Sequence, residues 1–172
     1  MTRPVVAFSL GSIVAVLLQT SLAGRLGILS APPDVMTLLV VYLGLHYRSA
    51  AGAIGAFLLG YLLDAFSGSP PGLYCFAMTL VFATVGLLAQ RMWIENPITR
   101  LAIAAAGLAV KSAVVVVWFA LATPGRVAWP VLLGTLSTEA VLALLTAPFL
   151  YPLLDRYLRA GARRAARAAE RS

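Results

Sequence analysis

The chain carries one cysteine, one histidine and six acidic residues in 172 positions, and only 11% of its residues are charged. A single cysteine, Cys75, excludes an internal disulfide and any cysteine-based metal cluster. It falls inside an apolar run, where a small buried filler is its ordinary role. The lone His46 has no second histidine or carboxylate at ligand spacing, so no metal site is expected. Neither a phosphate-binding glycine loop nor a nucleophile elbow is present. The net charge of +7 is localised, without the basic face on a folded domain that nucleic acid requires. The expectation is a protein with no catalytic group, no cofactor and no nucleic-acid partner.

What the chain has in abundance is hydrocarbon. It is 61% hydrophobic with a mean hydropathy of +0.93, which excludes a water-soluble globule. A crossing takes about 20 apolar residues, so this length accommodates five or six helices and no folded extramembrane domain. Six apolar segments can be drawn, at 5–22, 35–47, 50–63, 73–89, 101–122 and 131–152. The second and third are short, so tilt or fraying into their linkers is expected. The fold class is all-α, a polytopic membrane bundle of about six transmembrane helices. Residues 1–152 form the bundle and residues 153–172 a basic cytoplasmic tail.

Orientation follows from retention of basic residues in the cytoplasm. With the N-terminus inside, Arg3, Arg48, Arg91, Arg100, Arg156, Arg159, Arg163, Arg164, Arg167 and Arg171 fall on the cytoplasmic side, against only Arg25 and Arg126 outside. Both termini are therefore expected in the cytoplasm. The stretch from Arg3 to Ala23 imitates a signal peptide, but its apolar run of about 18 residues exceeds the usual core of 7 to 15, so it is expected to stay as a span. The arginines of the tail, Arg156, Arg159, Arg163, Arg164 and Arg167, recur near helical spacing and suit an anionic inner leaflet, each adding about 1 kcal/mol.

A row of positions four apart, Gly52, Ala56, Gly60, Asp64, Gly68 and Gly72, puts small residues and one acid on one face of the third segment. Such a face lets another backbone come close where lipid supplies no hydrophobic drive. Pro70 and Pro71 then turn the chain. Asp64 lies near a helix C-terminus, where the dipole disfavours an anion. Two reasons for it suggest themselves: contact with a partner chain, or acceptance of N–H bonds from the turn at 67–72. Asp34, after Pro33, opens the second segment as a helix cap, and both acids are expected at the outer surface. Lys111 and Glu139 are the charges deep in spans, where ionisable groups are costly. Their estimated depths agree, so an ion pair between the last two helices is expected, acting to dock them or as a ligand counter-ion.

Taken together, the basic N-terminus, Gln19-Thr20 closing the first segment, Ala31-Pro32-Pro33-Asp34, and above all the run from Gly60 through Asp64, Gly68 and Pro70 to Gly72 resemble the MreD family of bacterial rod shape-determining membrane proteins. That resemblance implies a non-enzymatic scaffold of the cell inner membrane that serves cell shape and peptidoglycan synthesis. It implies MreC as a partner and, indirectly, MreB, RodA and the penicillin-binding partner of RodA. It also implies a fold similar to the substrate-binding subunits of energy-coupling-factor transporters. On this basis Gly52, Ala56, Gly60, Asp64, Gly68, Pro70 and Gly72 are expected to bind the partner. The alternative is a membrane subunit that binds a vitamin-like small molecule for transport.

Overall fold

The computed structural model describes residues 34–47, 49–67, 70–91, 96–122 and 128–169, with side chains described as far as Arg156. All regular elements among them are helices: α1 (Val35–His46), α2 (Ala50–Ser67), α3 (Leu73–Arg91), α4 (Pro97–Ala122) and α5 (Trp129–Ala169). Four of the five are long and apolar enough to cross a membrane. The first apolar segment, 5–22, lies outside the described residues, so the span count of six is not reached within them. Residues 33–147 form one compact unit, and the described residues from Pro148 onward belong to a second.

The exception in length is α1. At 12 residues it is about 18 Å long, against about 30 Å of hydrocarbon, so it falls short of a full crossing by itself. Its composition explains why it is stable nonetheless. Leu38, Leu39, Val40, Val41, Tyr42 and Leu45 are all buried, and a helix that is apolar all round belongs in an interior. It is packed against α2, α3 and α4. Its start is capped by Asp34, whose Oδ1 accepts from the Thr37 N–H at 3.1 Å. At its end the His46 ring stacks on Tyr42 with centroids 4.2 Å apart.

The third segment runs farther than its apolar pattern suggests. Helix α2 continues past Asp64 to Ser67 and reaches 18 residues, or about 27 Å. Helix α3 lies at the centre of the unit, in contact with α1, α2 and α4. Its buried positions Met78, Val81, Val85 and Ala89 repeat at helical spacing. Val85 closes over Gly44 of α1, and Val41 of α1 over Gly107 of α4, so a methyl added at either glycine would stand 2.8 or 2.7 Å from a valine carbon. Branched side chains seated on bare backbone are how membrane helices gain van der Waals contact. At the far end of the chain, α5 passes Pro148 and Pro152 and continues to Ala169, so the backbone of the expected tail extends the last helix.

Candidate functional site

Four of the helices contribute to one ion cluster. Lys111 lies midway along α4, roughly 21 Å from Pro97 and roughly 17 Å from Ala122 at helical rise. It is 5% exposed. Its Nζ donates to Asp34 Oδ2 at 2.5 Å and to Glu139 Oε2, from α5, at 3.5 Å. The ammonium also stands 5.6 Å from the centre of the Tyr74 ring on α3, within cation–π range. Asp34 Oδ2 accepts a further bond from Thr37 Oγ1 at 2.6 Å.

The sequence led to the Lys111 and Glu139 pair, and the structure brings those two together, but the shorter contact is with Asp34. Asp34 is not the outer-surface cap that its place before a helix suggested. Its carboxylate caps α1 and is also buried beside the middle of α4, with 7% of its side chain exposed. The signal for this was the length of the second apolar segment, the shortest of the six. Tyr74 gave no signal, because nothing in an apolar run marks which ring faces a cation.

Asp64 forms the second constellation. It is 8% exposed and accepts three backbone N–H bonds at the start of α3, from Gly72 at 3.0 Å, Tyr74 at 2.9 Å and Cys75 at 3.1 Å. These are the donors that a helix start leaves without intrahelical partners. The carboxylate at the C-terminal end of α2 is thus stabilised by the N-terminal end of α3, where the dipole favours an anion. Gly72, at φ +94°, makes the turn that brings those donors back, a conformation that costs little only without a Cβ.

The small-residue row faces this same neighbour. Gly52, Ala56 and Gly60 are buried, and a Cβ on Gly60 would stand 2.5 Å from the Tyr74 carbonyl and 2.7 Å from Cys75 Cα. Gly52 approaches the Tyr47 carbonyl and the Phe82 ring. The row expected to receive a partner chain is therefore occupied, from Gly52 to Asp64, by the protein's own helices. Pro70 and Gly72 remain exposed, whereas Pro33 and Gly68 lie outside the described residues. Arg156 is exposed; the side chains of Arg159, Arg163, Arg164 and Arg167 are outside those described.

Beside Gly72, an apolar groove of about 480 Å³ opens between α3 and α4, lined by Leu73, Phe76, Val114, Val117, Trp118 and Leu121. Among the described residues there is no cluster of three His, Cys, Asp or Glu side chains able to hold a metal ion. The geometry is suited to fixing helices and presenting apolar surface. A family model described as rod shape-determining protein MreD matches residues 2–159. Neither a curated protein nor a solved structure matches the chain.

Proposed function

Because the chain belongs to the MreD family of rod shape-determining proteins, we propose that it acts as a non-enzymatic inner-membrane scaffold of the cell-elongation complex that holds MreC. Through MreC it connects to MreB and to RodA with its penicillin-binding partner, and so supports peptidoglycan synthesis. The observation that carries this reading is how the buried charges are used. Lys111 is joined to Asp34 and Asp64 to three N–H groups, so these groups tie helices to one another.

In this proposal the bundle has six spans with 5–22 as the first, both termini lie in the cytoplasm, and the fold is similar to that of energy-coupling-factor substrate-binding subunits. The arginines from Arg156 to Arg167 rest on the anionic inner leaflet. The partner contacts the exposed turn at Pro70 and Gly72 and lays an apolar segment in the adjoining groove, where Trp118, 41% exposed, is the anchor of the type that dominates interfaces. A vitamin-binding transporter subunit needs a polar-lined cavity, and that groove is lined by apolar side chains.

The test is co-purification with MreC from membranes. Trp118→Ala, which removes a large exposed ring without touching the ion cluster, is expected to lower recovery of the complex at least about tenfold, as loss of about 2 kcal/mol does, while the protein still inserts. Unchanged recovery would overturn the groove as the docking site.

A further inference from the structure

Among the described residues the ion cluster is one positive charge short. A single ammonium, Lys111, faces two carboxylates, Asp34 and Glu139, and the two are not equally served. Asp34 has the short contact, two bonds from Thr37 and a buried position. Among the described residues Glu139 has only the 3.5 Å contact, and it keeps 26% of its side chain exposed.

Glu139 sits at the rim of α5. On one side of it lies the buried stripe of Leu136, Ala143 and Ala147. On the other lies an exposed strip with Val131, Gly134, Thr135 and Thr138. The hydroxyls of Thr135 and Thr138 are turned back to carbonyls of their own helix, and a Cβ on Gly134 would meet nothing within 4 Å. The strip is therefore narrow, smooth and open next to a carboxylate carrying excess charge.

We propose that this strip of α5 receives a membrane helix of a different chain, one with an Arg or Lys at mid-depth whose cation binds Glu139 and completes the cluster. Charge complementarity specifies the cation, since an uncompensated carboxylate at this depth is costly and a charged hydrogen bond is the strongest remedy. A second copy of this chain cannot supply it. Of all its Lys and Arg residues only Lys111 falls within an apolar segment, the arginines standing in the linkers and at the ends, and Lys111 is itself buried and engaged. The proposal needs only that the chain lies in a membrane, and it is independent of the groove beside Gly72 and of the partner assigned to it.

The experiment uses the full-length protein in liposomes, fused after Ser172 to a fluorescent donor, and acceptor-labelled polyleucine peptides long enough to span. One peptide carries a single central Arg and the other Leu at that position. The Arg peptide is expected to give saturable energy transfer and the Leu peptide only the background of random proximity. Glu139→Gln, which keeps an oxygen for Lys111, is expected to weaken binding about tenfold. Gly134→Leu, filling open space away from the charges, is expected to weaken it as well. Equal transfer by both peptides, or binding unchanged by Glu139→Gln, overturns the proposal. So does an infrared carbonyl band of a protonated carboxylic acid that vanishes in Glu139→Gln, because a proton then supplies the missing charge. Saturable transfer between two copies of the protein that is lost in Glu139→Gln overturns the assignment to a different chain.

Discussion

Asp34 and Lys111, 77 positions apart in sequence, meet at 2.5 Å with their side chains 7% and 6% exposed. One residue caps α1, the shortest of the described helices, and the other lies midway along the longest helix that is described in full side-chain detail, α4. The contact therefore fixes the depth of α1 against α4, and each group removes the other's reason to be in water. Breaking a buried pair from one side strands a charge, which costs about 3–5 kcal/mol, whereas replacing both partners by apolar groups is close to neutral.

Lys111→Met is accordingly expected to be strongly destabilising, and Asp34→Leu combined with Lys111→Met to recover part of that loss, the α1 cap and the cation of Glu139 staying lost. The check is unfolding of the purified protein in detergent, read for Lys111→Met, Asp34→Leu and Glu139→Gln singly and for each carboxylate variant paired with Lys111→Met. The coupling between Asp34 and Lys111 is expected to exceed that between Glu139 and Lys111, following the 2.5 and 3.5 Å contacts. High salt is expected to leave the first coupling nearly intact, since screening acts weakly on buried pairs. Equal couplings, or a double variant no better than Lys111→Met, would contradict the assignment.

Asp64→Ala removes the acceptor of three N–H groups at the start of α3. Loss of a capping side chain costs about 1–2 kcal/mol, and here the freed donors are partly shielded from water, so the upper end of that range is expected. Asp64→Asn keeps an oxygen and is expected to lose about half as much. Hydrogen exchange at Tyr74 and Cys75 is the direct measurement: faster exchange in Asp64→Ala at these two amides, with α4 unchanged, is the expected pattern.

How much of this could be read beforehand varied with the kind of signal. The membrane class, the helical segments and the ion pair of Lys111 and Glu139 came from hydropathy and from the cost of charge in lipid, both of which act residue by residue. The four-residue row came from helix geometry, but geometry alone does not say which helix faces it. A partner chain and the next helix of the same chain need the same small residues, and the hairpin from α2 to α3 supplies the nearer occupant. Asp34 was legible as a cap and not as the partner of Lys111, because the second role depends on where a short helix sits along its neighbours. The extension of α2 to Ser67 was hidden by Asp64, which reads as a helix end until its acceptors are known to be filled by α3.

Glycines with and without neighbours give the last prediction. A methyl at Gly60 would meet the Tyr74 carbonyl and Cys75 backbone at 2.5 to 2.9 Å, and backbone cannot rotate away as a side chain can. Gly60→Ala is therefore expected to push α2 from α3, at a cost of about 1–3 kcal/mol, and to weaken the Asp64 bonds that depend on the same approach. At Gly86, also within a helix, an added Cβ meets nothing within 4 Å, so Gly86→Ala is expected to be neutral or to stabilise by up to about 1 kcal/mol through backbone entropy. Thermal unfolding in detergent distinguishes the two. Combining Gly60→Ala with Asp64→Ala is expected to cost less than the sum of the singles, because both act on one seam; strict additivity would separate the glycine face from the carboxylate cap and leave the hairpin without the shared contact described for it.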